Sequence, residues 1–281
     1  MLPFWADLPL HLNPVIFQIG GLSLRWYSLS YLLALLTIYL LLKNRLSNNR
    51  NIPANLNLGN LEIILFSAFL GAIIGGKIGY LIFYDFSNLV HHPLSTLSPF
   101  DSQNKFIGFY GLSFHGGLVG ALLSSWWTSR KYKIDFYSLL NFATPAFPLG
   151  YFWGRLGNFF NRELYGRLTD SPLGMYFSPT EKRAGLLRHP SQLYEALGEG
   201  LVLFLILQYC QRFPTCQNKL FPLFLILYGI IRFLIEFFRQ PDPQLGFIAL
   251  GWLTMGQLLC LLMIFIGITV LLFYRKTASK I

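Results

Sequence analysis

Residues 151–170, YFWGRLGNFFNRELYGRLTD, close a long apolar run and then set down Arg155, Asn158, Asn161, Arg162, Glu163 and Arg167. At the edge of hydrocarbon an unpaired charge is expensive, so such groups point to partners or to a ligand. A second cluster lies in YGIIRFLIEFFRQPD, residues 228–242. At helical spacing, Tyr228, Arg232, Glu236 and Arg239 fall within roughly an 80° arc of one face. Arg232 and Glu236 could simply pair at i,i+4 and lock the bundle. Arg239 is left over by that pairing and makes the face net cationic. Arg155 and Arg239 stand at the same end of their separate apolar runs, and cations converging on one membrane face require an anion between them. A guanidinium fork suits phosphate better than an ammonium does. The nearest abundant anion at that depth is a phospholipid head group.

Two further candidates carry different chemistry. His115, in FYGLSFHGGLVGA (residues 109–121), is followed by Gly116 and Gly117. A lone intramembrane His can be a hydrogen-bonded packing residue. The paired glycines, however, leave room for something to approach, and imidazole is the usual general base near neutral pH. Tyr27, in LRWYSLSYLL, opens another apolar run at the same level, where a Tyr also serves as an interface anchor. RHPSQLYEALGEG (188–200) places Glu195 and Glu199 four residues apart, where they would repel each other if exposed. Lys77, Arg155 and Arg232 are their expected partners, and their expected role is architectural.

These residues need a membrane frame. Of the 281 residues, 54% are hydrophobic and 12% charged, about half the charge of a soluble domain. Runs long enough to cross hydrocarbon are expected at 27–43, 61–84, 108–129, 136–155, 191–210, 220–238 and 250–274, giving an all-α polytopic membrane protein of about seven transmembrane helices. The third and fourth are diluted by Gly, Ser, Pro145 and Pro148. Residues 1–26 are too broken to span and read as an interfacial or re-entrant segment on the outer face. Nothing resembles a linker or repeat, so residues 1–281 are expected to form one integral-membrane domain, with 156–190 as an outer-face loop region.

Lys43, Arg45 and Arg50, then Arg130, Lys131 and Lys133, then Arg212 and Lys219, then Arg275, Lys276 and Lys280 all fall on one side of this arrangement. The positive-inside rule makes that side cytoplasmic, with the N-terminus outside and the C-terminus inside. Residues 156–190 also carry Lys and Arg, and that excess on the outer side requires a separate explanation. The net charge of +10 is thus accounted for by topology and implies no nucleic acid. Gly71, Gly75 and Gly79 stand four apart in GAIIGGKIG, a spacing that lets helices approach closely. Cys210, Cys216 and Cys260 match no metal motif, and packing is the expected role for those in apolar runs.

GRLGNFFNRE (154–163), SFHGG (113–117), RHPSQLYE (188–195), YGIIRFLIEFFRQPD (228–242), TMGQLL (254–259), NPVIFQIG (13–20) and RWY (25–27) together resemble the bacterial prolipoprotein diacylglyceryl transferases over residues 13–275. Two positions depart from that pattern: Asn141 stands where Asp is expected, which removes a possible charge partner, and Arg162 fills a variable position. The resemblance implies transfer of a diacylglyceryl group from phosphatidylglycerol to the lipobox cysteine of an exported prolipoprotein, at the outer face of the bacterial inner membrane. It implies no cofactor and no metal. Arg155 and Arg232 would bind the departing phosphate, Arg239 would add positive potential, and His115 would take the thiol proton. Tyr27, Asn158, Glu163 and Tyr228 would orient the head group, and Glu236 would fix Arg232. The competing class is a transporter or flippase of anionic phospholipid, which should show paired interrupted helices in two similar halves; no such symmetry is visible.

Overall fold

The computed structural model describes residues 3–19, 22–48, 51–91, 111–241 and 246–278. Gly20, Arg50, residues 108–110, Asp242 and Lys280 lie outside them, as do the side chains of Arg275 and Lys276. In order, the elements are α1 (Pro3–His11), β1 (Val15–Ile19), β2 (Leu22–Arg25), α2 (Trp26–Asn48), α3 (Leu58–Tyr84), α4 (Phe86–His91), α5 (Phe114–Lys131), α6 (Phe136–Ala143), α7 (Phe147–Phe160) and α8 (Pro179–Arg183). Then come α9 (Ser191–Cys210), α10 (Pro214–Gln217), α11 (Leu220–Ile235) and α12 (Met255–Ala278).

Trp26–Asn48, Leu58–Tyr84, Ser191–Cys210 and Met255–Phe273 are long and apolar enough to cross a membrane. The other expected spans are helical as well, with different limits. α5 begins at Phe114, because Ser113 caps it by accepting from Gly116 N. Residues 136–160 form α6 and α7, joined by a 3-10 turn at Thr144–Ala146 next to Pro145 and Pro148. α11 is apolar but only 16 residues long, and it ends at Ile235. Glu236 and Arg239 therefore leave it in a turn, which corrects the expectation that they continue one helix face. Residues 3–25 contain a nine-residue helix and a two-stranded antiparallel ribbon, each too short to span.

The chain divides into two compact units, Met1–Arg45 with Leu140–Ile281, and Leu46–Leu139. The second is built on the antiparallel crossing of α3 and α5. A Cβ on Gly79 would stand 2.8 Å from Gly116 Cα, and Cβ atoms on Gly71, Gly75, Gly116 or Gly120 would collide with the facing backbone carbonyl. Small residues let the two backbones touch, as their spacing predicts. Ser67 and Thr128 hydrogen-bond at 2.8 Å beside the same seam.

In the first unit, Leu203, Leu207 and Leu220 are buried against Leu223, Phe224, Leu227 and Ile231, which packs α9 on α11. Glycines set the depth of approach elsewhere: a Cβ on Gly157 of α7 would meet Ser30 Cβ of α2 at 2.9 Å, and one on Gly200 of α9 would meet Phe152 Cα of α7 at 2.9 Å. Phe159, Met175 and Phe177 form a separate core that takes in Trp5, Leu8, Leu12, Tyr165 and Leu193. It docks α1 on the loop following α7.

Candidate functional site

The ionic site lies where α7, α9 and α11 pack together. Arg155 sits two turns from the start of α7, one helical turn beyond Tyr151. Its Nε donates to Tyr151 Oη at 2.7 Å and ion-pairs with Glu195 Oε2 at 2.8 Å, and its Nη1 donates to Asn158 Oδ1 at 3.1 Å. The guanidinium also lies over the Tyr151 ring, 4.7 Å from its centroid. Among the described residues, its Nη2 has no partner.

From Asn158 a carboxamide chain leads away from the helix. Asn158 Nδ2 donates to Glu163 Oε1 at 2.7 Å and Asn161 Nδ2 to Glu163 Oε2 at 3.0 Å. Arg162, at φ 57, turns the chain sharply after α7 and makes this return possible. Gln192, fully buried in the first turn of α9, donates to Glu163 O at 2.6 Å. Asn158 and Glu163 thus fix Arg155 from one side while spending their own hydrogen-bonding capacity on each other.

On the other side, Glu195 Oε2 ion-pairs with a second cation, Arg232 Nη1, at 2.8 Å. The same Nη1 lies 3.4 Å from Glu199 Oε1, and Nη2 pairs with Glu236 Oε2 at 2.9 Å. Glu236 is held in turn by Thr254 Oγ1 at 3.1 Å and lies 3.7 Å from Arg239 Nη1. The i,i+4 pairing of Arg232 with Glu236 is present, but the expected net cationic face is not. Arg232 is surrounded by three buried carboxylates, and with Glu163 the cluster holds four carboxylates against Arg155, Arg232 and Arg239. The expectation for Glu195 and Glu199 is met by Arg155 and Arg232; Lys77 belongs to the other unit, where its Nζ lies 6.0 Å from the Tyr80 ring centroid.

The remaining predicted residues are less tightly gathered. Tyr228, on α11, sets its ring edge-on to Tyr151 at 5.9 Å. Tyr27 hydrogen-bonds Tyr31 at 3.1 Å on α2, and Gly157 brings that helix against α7. His115 lies in the first turn of α5, in the other unit, exposed and edge-on to Phe114 at 5.7 Å. The space expected beside it is filled, because Gly116 and Gly117 face α3 at the crossing. Sequence reasoning missed Tyr151 and Thr254. Tyr151 was detectable as an aromatic hydroxyl at i−4 from Arg155; Thr254 reaches Glu236 only through the tertiary fold.

Four of the five lysines and arginines of residues 156–190 also find partners, while Arg183 is exposed. Lys182 pairs with Asp7 at 2.6 Å and Arg188 with Glu181 at 2.5 Å. Arg162 donates to the carbonyls of Leu10 and Leu12, and Arg167 to those of Arg239 and Glu236. These contacts tie α1 and the end of α11 to the loop, so the basic excess there is structural.

Apolar helices around a buried chain of arginines, carboxylates and carboxamides define a polytopic membrane protein with a polar, ion-paired site among its helices. The family model for prolipoprotein diacylglyceryl transferase matches residues 14–273, and the chain belongs to that family. It is 46% identical over 280 residues to the phosphatidylglycerol–prolipoprotein diacylglyceryl transferase of Chlorobaculum tepidum, covering 99% of this chain and 95% of that protein. The similarly named proteins of Legionella pneumophila and Geobacter sulfurreducens are each 42% identical, over 92% of this chain and 95% and 94% of their own lengths.

Proposed function

We propose that this chain transfers the diacylglyceryl group of phosphatidylglycerol to the lipobox cysteine of an exported prolipoprotein. The supporting observation is the convergence of two guanidiniums, from α7 and α11, on one point inside an apolar frame. In the reaction the cysteine sulfur attacks the glycerol carbon that bears the phosphate. A C–S bond forms, the C–O bond breaks, and the electron pair leaves with glycerol phosphate. A phosphodiester monoanion becomes a phosphomonoester, so negative charge grows on the departing group. Arg155, with Nη2 unused among the described residues, and Arg232 stabilise that charge, and Arg239 adds positive potential. A thiol is mostly protonated near neutral pH, and His115 takes its proton. Tyr27, Asn158, Glu163 and Tyr228 orient the head group or the arginine that grips it, and Glu236 holds Arg232.

The chain is read as one transferase domain made of both units, since the family match runs through both. It is placed in the bacterial plasma membrane with about seven spans, the N-terminus and site outside and the C-terminus cytoplasmic, from the basic residues between the apolar runs. A reporter fused after Lys276 that proved exported would reverse this orientation. The activity is tested with detergent-solubilised protein, phosphatidylglycerol and a lipobox peptide. A thioether-linked lipid on the peptide is expected; lipid movement between vesicles without peptide modification would instead make the chain a transporter.

A further inference from the structure

We propose that Glu195 is a positioning residue for this reaction: its carboxylate yokes Arg155 to Arg232 and sets how strongly the pair holds an anion. The inference rests on the phosphate-gripping role given to those arginines above. One oxygen, Oε2, lies in ion-pair contact with Arg155 Nε and Arg232 Nη1 at 2.8 Å each and accepts a hydrogen bond from Tyr151 Oη at 3.2 Å. Two guanidiniums this close repel each other in a low-dielectric site, and a shared carboxylate lets them converge before any phosphate arrives. Glu195 has no exposed surface, so water cannot replace it in that role. Its helix is held at a fixed depth: a Cβ on Gly198 would meet Ile231 and one on Gly200 would meet Phe152. The segment Ala196–Val202 is π-helical, a local widening of the kind found at functional sites. It follows Glu195 directly and contains Glu199, and both carboxylates reach Arg232.

The two arginines depend on Glu195 unequally. Arg232 also has Glu199 and Glu236. Arg155 has Glu195 as its only carboxylate among the described residues, with Tyr151 and Asn158 as neutral partners. Neutralising Glu195 therefore loosens Arg155 and leaves Arg232 in place, and at the same time makes the site more positive. Those consequences act on different quantities. A loosened guanidinium slows the chemical step, whereas a more positive site holds anions longer, above all the product, which carries more charge than the substrate.

The test is steady-state transfer to a lipobox peptide by purified Glu195→Gln and Glu195→Asp, with inhibition by glycerol phosphate measured alongside. For Glu195→Gln, kcat should fall about 10–100-fold, as for a catalytic group displaced by about an ångström. KM for phosphatidylglycerol should not rise, and glycerol phosphate should inhibit about threefold more tightly or better. Glu195→Asp keeps the charge but shortens the reach, so kcat should fall while product inhibition stays as in the wild type. A role in stability alone would change the folded fraction without changing the inhibition constant. Unaltered product inhibition in Glu195→Gln, or a raised KM at wild-type kcat, overturns the proposal. If Glu195→Gln does not accumulate in folded form, Glu195→Asp decides, and wild-type kcat there overturns it. Arg155→Lys and Arg232→Lys belong in the same experiment. Wild-type rates in both would remove the phosphate clamp itself; slow Lys variants beside wild-type Glu195 variants would remove only the yoke.

Discussion

The Leu46–Leu139 unit joins its helices by close backbone fit, whereas the unit containing the ionic site adds buried ion pairs to such contacts. At the crossing of α3 and α5, backbone meets backbone through Gly71, Gly75, Gly79, Gly116 and Gly120, with the small side chain of Ser124 filling in at Gly71. Between α7, α9 and α11, apolar packing and a close approach at Gly200 are joined by long charged side chains, all partly or fully buried. In a membrane, apolar side chains gain little by leaving lipid for one another, so specific association comes from close backbone fit or from polar pairing. Backbone fit is structurally economical but leaves no functional group behind. Buried pairing is costly to assemble and leaves groups that can bind and stabilise an anion.

The largest expected effect tests how far this division goes, because the proposed base sits in the glycine unit. His115→Ala should lower turnover by about 10²–10⁴-fold while phosphatidylglycerol binding stays nearly unchanged. If lipid binding collapses together with turnover, His115 is a head-group ligand and not a base. Next in size, Arg155→Lys or Arg232→Lys should slow single-turnover transfer by about 10–1000-fold, or roughly 1.4–4 kcal/mol of transition-state stabilisation. Lysine keeps the charge but loses the planar fork, through which Arg155 contacts Tyr151, Glu195 and Asn158 at once. Arg239→Lys should cost distinctly less, since the role proposed for Arg239 is a looser electrostatic one that a lysine also fills. Near-wild-type rates for both inner arginines would reduce the clamp to a diffuse positive patch. These variants should be compared at equal membrane levels, because Glu236 left without Arg232 is itself destabilising.

Glycines sharpen the comparison at the next level. Gly120→Ala puts a methyl group into Gly71 O and Gly71 C, with backbone on both sides and no flexible side chain to yield. It should destabilise by about 1–3 kcal/mol, read as lowered thermal stability of the purified protein. Gly154→Ala, next to Arg155, meets nothing within 4 Å and should leave stability within about 0.5 kcal/mol of wild type. Equal losses from both substitutions would mean that the α3–α5 contact is not a backbone fit.

What could be read from the sequence follows from the range of each interaction. The glycine ladder on α3 and the Arg232–Glu236 pair are set by spacings of four, and both are present. Gly116 and Gly117 take a helix where a ligand is expected, because their spacing does not say which of the two fills the gap. The end of α11 was not visible, since FFRQ continues its apolar pattern; Arg167, more than sixty residues earlier, holds the carbonyls of Glu236 and Arg239 in the turn that follows. The widening of α9 and the double use of Glu195 Oε2 were likewise hidden, because both depend on how three separate helices meet. Local periodicity marked which residues were out of place in hydrocarbon, but not which carboxylate served which arginine.

The smallest expected effect concerns the loop that joins the ionic unit to water. His189 lies just before α9, with Nδ1 3.2 Å from Tyr194 Oη and its ring edge-on to Phe238 at 5.1 Å. Its backbone pairs with Gly166 and Arg167. Burial among these rings disfavours the imidazolium and holds the pKa below its ordinary value of 6.5. The unfolded chain therefore binds more protons than the folded one just below pH 6.5, and stability must rise with pH there. The contribution of neutral His189 is complete above about pH 6.5 and is lost as pH falls through that value towards the folded pKa. His189→Gln keeps a hydrogen-bonding group near Tyr194 and cannot titrate. Its thermal midpoint in detergent should fall less than that of the wild type between pH 7 and 5, by about 1–2 °C. Parallel midpoints for the two proteins across that range would mean that this imidazole is as well accommodated charged as neutral, and that acid sensitivity resides elsewhere in the ionic unit.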